Sequence, residues 1–536
     1  MTEFVDEARD ALEKVMEEPC IHITIVGGQT LWSGAPACAV GHRIPKAKDH
    51  VDDGVFAGWS WDGAVLRAWN DRYGIRPLYY LSRGEEIALS TSILRLLAEG
   101  ASAELNYSGL AVFLRLGAFL AEDTPFRDIR ALPPSASLEW KHGVLSVAGG
   151  MRHAKPQRLS RNAALDAYIV LFREAIRRRQ PPAENFAVPL SGGRDSRHIL
   201  FALCEVGYRP TFCVTARYFP PGDMAAGEIE IARDLTQALS LRHVVLDQPV
   251  SRFATEWRSN IETEFCSADA LWVLAVADFL KGKVCCIYDG IAGDVLSAGL
   301  FLSRETLDLF HAGRLEELAQ QLLGPEGGDR LFTTAARRGL HWEVALSRVT
   351  QELTRHLDAP NPITSFFFWN RTRRKIAMHS YRILVHAGEV LSPYLDHDVF
   401  DLLSGLPAEV FLDHTFHTEA IQRAYPRYAA VPFAAKKDQR ILSPDHAPLR
   451  LFGRDVVSTS LRHGRSSLLR CSYFMPRLIR GLVDPSYCQT IDWLGRSVLY
   501  ALQLEQMSRV AASGPRATSP SDRGTTPMPE YLLGQV

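Results

Sequence analysis

The run Leu190-Ser191-Gly192-Gly193-Arg194-Asp195-Ser196 combines two adjacent glycines, two hydroxyls and a carboxylate, types that together suit a pyrophosphate. Adjacent glycines let a backbone turn tightly and aim N–H groups at an anion, and a following helix adds about half a positive charge there. Ser191 and Ser196 can add hydroxyl donors. Asp195 would repel a phosphate, so its presence fits if it holds a magnesium ion that bridges to the phosphates. Taken alone, serine-glycine-glycine is equally a capped helix after a glycine turn. A second acidic loop, Asp289-Gly290-Ile291-Ala292-Gly293-Asp294, also follows an apolar run, although an isolated Asp294 would read as a turn or cap residue. His414 and His417 have no acidic neighbour placed like a zinc ligand set, so they read as surface or packing histidines. Arg371-Thr372-Arg373-Arg374-Lys375 reads as a solvated helical face with no assigned role.

These residues need elements to hold them. Phe186 to Leu190 is a strand-like run, and Ile199, Leu203 and Val206 recur at helical spacing until Gly207, giving strand, loop and helix in order. Upstream the chain is strand-rich. Ile21 to Val26 alternates and breaks at Gly27-Gly28, and Val55–Trp61 with Ala64–Trp69 forms a hairpin turning at Asp62-Gly63. Residues 3–18 place Phe4, Ala8, Leu12 and Val15 at helical spacing, ended by Pro19. From about residue 160, helical stretches such as Ala163–Arg178 alternate with short apolar strands such as Val284–Tyr288, the pattern of a parallel sheet flanked by helices. Beyond residue 300, Leu307–Leu323 and Arg338–Leu357 carry helical periodicity, and from Ala511 the chain is too rich in Ser, Pro, Gly and Thr to offset ordering entropy. The division expected is 1–155, 156–505 and a disordered tail, 506–536.

Composition excludes several classes. The 536 residues carry 60 basic and 61 acidic side chains, a formal net charge of −1, so no global field exists to hold a nucleic-acid backbone. Nine cysteines without a C-x-x-C pair fit neither a disulfide framework nor a zinc finger, and suit a reducing cytoplasm. The acidic start, Met1-Thr2-Glu3-Phe4, lacks the order of a secretory signal, and the most apolar run, Leu271–Ala277, falls far short of the ~20 residues that span a bilayer. A cytoplasmic protein without membrane or nucleic-acid partners is expected, with a homodimer left open. There is no internal repeat and no Walker-type phosphate loop.

The loop at 190–196 resembles the S-G-G-x-D-S signature of the PP-loop ATP pyrophosphatases. Further segments between about residues 52 and 445 resemble asparagine synthetase of the glutamine-dependent type. Asn70-Asp71-Arg72-Tyr73-Gly74-Ile75-Arg76-Pro77-Leu78-Tyr79-Tyr80 is similar to a segment of that family's amino-terminal domain. Thr211-Phe212-Cys213-Val214-Thr215 resembles its second nucleotide-site strand, and Asp289–Asp294 its S-G-x-G-x-D-E loop. Gly388-Glu389-Val390-Leu391-Ser392-Pro393-Tyr394-Leu395-Asp396 is similar to its E-x-R-x-P-F-L-D segment, and Ala420–Ala424 with Val431 to Lys437 to the stretch carrying its synthetase lysine. The resemblance implies a strand-rich, Ntn-type amidotransferase-like sandwich followed by an α/β, doubly wound PP-loop domain with a helical extension. It implies ATP and Mg2+ as cofactors, with Leu190, Ser191, Gly192, Gly193, Asp195, Ser196, Val214 and Gly290 around the nucleotide. Asp195 and Asp294 would hold the metal. Lys437, with Lys436 as the alternative register, and Glu389 would be catalytic, acting on a small-molecule or peptide carboxylate and an amine donor.

Two departures narrow this expectation. Glutamine-dependent members use an N-terminal cysteine, but residue 2 is threonine, opening an acidic helical stretch rather than a strand. Cys20 heads a strand and would be exposed only by processing, so a buried structural cysteine is the better reading. The amidotransferase half therefore reads as a scaffold without glutaminase activity, an arrangement similar to beta-lactam synthetase and lasso-peptide cyclases. Ile291 and Leu391 stand where the family carries polar groups, so the carboxylate pocket must differ from one for aspartate.

Overall fold

The computed structural model describes residues 15–44, 52–217, 223–247, 249–325, 328–433, 447–488 and 490–513. Residues 20–148 supply ten strands: β1 (Cys20–Val26), β2 (Gln29–Gly34), β3 (Ala37–Ile44), β4 (Asp53–Trp61), β5 (Val65–Asn70), β6 (Tyr79–Arg83), β7 (Glu86–Ser90), β8 (Arg130–Ala131), β9 (Ser137–Lys141) and β10 (Val144–Ala148). They form two antiparallel five-stranded sheets, ordered β2-β1-β7-β6-β8 and β10-β9-β5-β4-β3. Gly27 and Gly28 turn β1 into β2 with φ of +59° and +80°, conformations open to glycine at little cost. At the β4–β5 turn, Asp62 Oδ1 accepts the N–H groups of Ala64 and Val65 at 2.9 and 2.7 Å.

The side chains Ile21, Ile23, Ile87 and Leu89 of one sheet share a core with Trp59, Trp61, Leu66 and Trp140 of the other. Because alternate residues on a strand point to opposite faces, Cys20, Tyr79 and Leu81 fall into the second, larger core shared with the helical region. The first sheet is thus buried on both faces and acts as the middle layer.

The third sheet comprises β11 (Phe186–Pro189), β12 (Phe212–Ala216), β13 (His243–Leu246), β14 (Cys286–Tyr288) and β15 (Glu389–Leu391). Its order is β13-β12-β11-β14-β15, and every pairing is parallel. From β11 the chain steps outward through β12 and β13, then returns to the other side for β14 and β15. The order therefore reverses at β11, and the carboxyl ends of β11 and β14 flank a crevice of the kind where open α/β sheets bind ligands.

Buried ion pairs join the antiparallel and parallel regions. Arg179, fully buried, reaches Asp53 at 2.8 Å and Asp396 at 2.6 Å. Arg76 donates to Tyr381 O at 2.8 Å, and Arg373 to Leu132 O at 2.8 Å. Asp71 holds the turn between β5 and β6, its carboxylate accepting the N–H groups of Tyr73, Ile75 and Arg76 at 2.9, 3.2 and 3.1 Å.

Several sequence expectations need correction. Leu307–Leu323 is two helices, Arg304–His311 and Leu315–Leu323, because Gly313 turns left-handed at φ +69°. Arg338–Leu357 is likewise divided, into Thr334–Leu340 and Trp342–Thr354, where His341 adopts extended backbone and caps the second helix. The basic run 371–375 is not a solvated face: it lies in the π-helical stretch Phe368–Ile376, with Arg373, Arg374 and Lys375 buried. Order continues past residue 505 in the helix Thr490–Ser513, whose Met507 and Val510 are buried. Residues 1–14 and 514–536, which hold most of the helix expected over residues 3–18 and the rest of the expected tail, lie outside the described residues. Among the described residues no helix is long and apolar enough to cross a membrane.

Candidate functional site

The loop after β11 is anchored at its base. Leu190 N–H donates to Val214 O at 2.8 Å, and Thr215 Oγ1 donates to Leu190 O at 2.7 Å. Ser191 N–H donates to Ser196 Oγ at 3.1 Å and Gly193 N–H to Ser191 Oγ at 3.2 Å, with the two hydroxyls 3.3 Å apart. The serines therefore brace the loop against itself rather than facing open space. The helix Asp195–Glu205 begins at Arg194, which provides no side-chain cap, so the positive end of the helix is left to the loop.

Charge accumulates around this turn. Arg194 Nε donates to Thr418 Oγ1 at 2.6 Å. Arg197 donates to Val431 O at 2.9 Å and Pro432 O at 2.6 Å, while its guanidinium lies 4.0 Å from the Phe433 ring centre. Burial and then the neighbouring Arg194 pull Arg197 down to about 10. A buried cation satisfied by carbonyls alone leaves its charge available to an anion.

The second acidic loop crosses the first at contact distance. A Cβ on Gly293 would lie 2.7 Å from Asp195 Cγ, and one on Gly290 3.0 Å from Asp195 Cβ. Both positions need glycine because the Asp195 side chain occupies the space. Ala292 between them is held at φ +76°, a conformation costly for a residue with a Cβ. Asp289 stabilises the turn by accepting Ile291 N–H at 3.0 Å and Ser380 O–H at 2.8 Å.

Asp294 accepts Val295 N–H at 2.8 Å through Oδ1, and its Oδ2 lies 3.5 Å from Arg371 Nη1. Burial and then the Asp195 carboxylate push its carboxyl up to about 6, against the opposing pull of Arg371. The Asp294 side chain is 38% exposed, so the carboxylate is open to a ligand. Two crowded oxygen donors of like charge suit a hard cation. Among the described residues no group of three or more His, Cys, Asp or Glu could hold a metal.

The structure thus brings together Leu190, Ser191, Gly192, Gly193, Asp195, Ser196, Gly290 and Asp294. Val214 lies at the base, its side chain 1% exposed. Glu389 is not part of the group: it begins β15, whereas the loops leave the carboxyl ends of the strands, and its carboxylate lies 3.7 Å from His42. Lys436 and Lys437 lie outside the described residues. Sequence reasoning gave Arg371 and His417 no role at this site. His417, fully buried, places Nδ1 3.3 Å from Asp195 Oδ1. Neither carries a local motif, since both reach the site from elements far along the chain.

Cys20 is 3% exposed in β1, and burial pushes its thiol up to about 12, which fits the structural reading.

These features define an α/β protein with two antiparallel sheets ahead of a parallel one, and two acidic loops meeting at the reversal of the parallel strand order. The family model for a glutamine amidotransferase domain matches residues 46–149, consistent with an amino-terminal domain like that of asparagine synthetase. No curated protein matches the chain.

Proposed function

We propose that this chain is an ATP-dependent amide-bond-forming ligase of the asparagine-synthetase type, built on a doubly wound PP-loop domain with an amidotransferase-like domain ahead of it. The observation that carries the reading is the crossing of the two acidic loops, Asp195 beside Asp294, at the carboxyl ends of β11 and β14. A substrate carboxylate oxygen attacks the ATP α-phosphorus, the α–β bridging bond breaks and pyrophosphate leaves. An amine nitrogen then attacks the acyl carbon, the bond to AMP breaks, and the nitrogen gives up a proton. Asp195 and Asp294 would hold magnesium, which when bound neutralises charge on the departing pyrophosphate. Gly192 and Gly193 let the loop backbone approach the phosphates, Val214 and Gly290 border the nucleotide, and Arg194 and Arg197 place positive charge behind the loop. Lys437, or Lys436, would compensate charge on the α-phosphate.

The amine donor is better sought outside the chain's own glutaminase half, because Cys20 is buried with a raised thiol pKa. Buried apolar Ile291 and Leu391 favour, as a second reading, a ring-closing amide synthetase acting on a peptide or small metabolite rather than on aspartate. The test is to incubate the protein with ATP, magnesium and candidate carboxylates. AMP with pyrophosphate is expected, and ADP with phosphate would overturn the proposal. Nucleotide binding that depends on Asp195 without AMP from any acceptor would instead indicate a non-catalytic scaffold.

A further inference from the structure

Beneath the acidic loops lies a buried polar chain that the proposed chemistry does not use. His417, on the helix Phe416–Ala424, is 0% exposed. Its Nδ1 lies 3.3 Å from Asp195 Oδ1 and 3.0 Å from Ser297 Oγ. Its Nε2 lies 3.2 Å from His198 Nδ1 and 3.3 Å from the Tyr394 hydroxyl. Tyr168 closes the far end, its hydroxyl 3.4 Å from His198 Nδ1.

Donor and acceptor counting fixes the proton on the upper edge of His417. A carboxylate oxygen only accepts, and a bare ring nitrogen facing one would repel it. Ser297 commits its hydroxyl proton to Gly293 O at 2.7 Å, so towards His417 its oxygen also accepts. Both neighbours of Nδ1 therefore require an N–H there. On the lower edge, Tyr394 commits its hydroxyl proton to the backbone oxygen of Asp195 at 3.1 Å. His198 is fully buried and held well below the usual histidine range, by burial first and then by His417, so it carries a single proton. A proton on His198 Nδ1 would be donated to His417 Nε2.

We propose that His417 is a positioning residue: it donates Nδ1–H to Ser297 Oγ and turns the same edge towards Asp195 Oδ1 3.3 Å away, tying the loop after β11 to the loop after β14 and leaving Asp195 Oδ2 for the nucleotide-bound cation. The geometry supports this on both loops, since Ser297 belongs to the helix Gly293–Ser297 that begins beside Asp294. Tyr394 repeats the link from β15, holding the Asp195 backbone while His417 holds its side chain. The site is thus fixed from three strand ends by this buried layer. This inference rests on the ATP reading of the same site.

Two measurements test it. Nitrogen-15 NMR of histidine-labelled full-length protein reports which ring nitrogen of His417 carries hydrogen, with assignment by His417→Asn. A proton on Nδ1 is expected, and a neutral ring protonated only at Nε2 would overturn the proposal. In the second, Mg·ATP binding is measured by calorimetry for the wild type, His417→Asn and His417→Gln, with thermal unfolding alongside. The asparagine amide overlays Nδ1 and should preserve binding. The glutamine amide overlays Nε2 and should weaken binding by about 10- to 100-fold, the usual effect of losing a group that orients a metal ligand. The two variants should unfold at similar temperatures. Equal binding by both variants, or losses that follow unfolding temperature, would overturn the positioning role while leaving the ATP reading intact. Failure of the wild type to bind Mg·ATP would overturn both.

Discussion

The antiparallel amino-terminal region and the parallel sheet differ in what they do with their polar groups. In the former, Asp53, Asp71 and the Cys20 thiol are buried, and the two carboxylates are fully engaged by guanidinium or backbone partners. In the latter, two like-charged carboxylates crowd one another, a helix start lacks a side-chain cap, and Arg197 meets carbonyl oxygens and the Phe433 ring but, among the described residues, no carboxylate. Satisfied polar networks rigidify a scaffold, whereas unresolved charge is what a charged ligand can resolve. On the proposed reading, the contrast assigns chemistry to the parallel region and support to the amidotransferase-like region.

The comparison can be broken or sharpened at four points, taken from the largest expected effect downward. Arg179→Met would strand the Asp53 and Asp396 carboxylates in the interior and should lower stability by about 3–5 kcal/mol in denaturant unfolding. A negligible loss would mean that the two regions are joined by something other than this bridge. Asp195→Asn and Asp294→Asn should each reduce pyrophosphate release by about 100-fold, roughly 2.7 kcal/mol of transition-state stabilisation, with unfolding little changed. Full activity in either variant would remove the acidic loops from the chemistry.

A milder effect concerns thiol reactivity. With the Cys20 pKa raised to about 12, its thiolate stays scarce at pH 8, and burial shields it further. Iodoacetamide at that pH should modify exposed Cys471 and spare Cys20 in the native protein, as read by peptide mass mapping. Prompt labelling of Cys20 would return the glutaminase question to the amino-terminal region. The smallest effect is expected at Glu389, at the amino end of β15: Glu389→Gln should leave Mg·ATP affinity unchanged by calorimetry.

Much of this was legible before any coordinates, for reasons that are local. Gly27-Gly28 and Asp62-Gly63 announce hairpins because positive φ and side-chain capping act within a few residues. The strand ending at Pro189, the glycine turn and the helix Asp195–Glu205 follow one another in sequence, so their order could be read directly. The breaks at Gly313 and His341 were harder, because apolar spacing runs across them while the backbone turns. The basic run 371–375 differs for another reason: four clustered charges favour solvent unless distant carbonyls and carboxylates receive them. Here Leu132 O, Asp123 O and Asp294 do so, and none is near in sequence.

Sequence by itself determined the two acidic loops, the strand-rich beginning and the α/β alternation, because each depends on turn chemistry and periodicity. Tertiary structure alone decided that Asp195 meets Asp294 and that His417 lies under both, while Glu389 falls at the wrong end of its strand. Those outcomes depend on strand order and on which end of a parallel strand a residue occupies. Neither quantity is written in the spacing of residues along one chain.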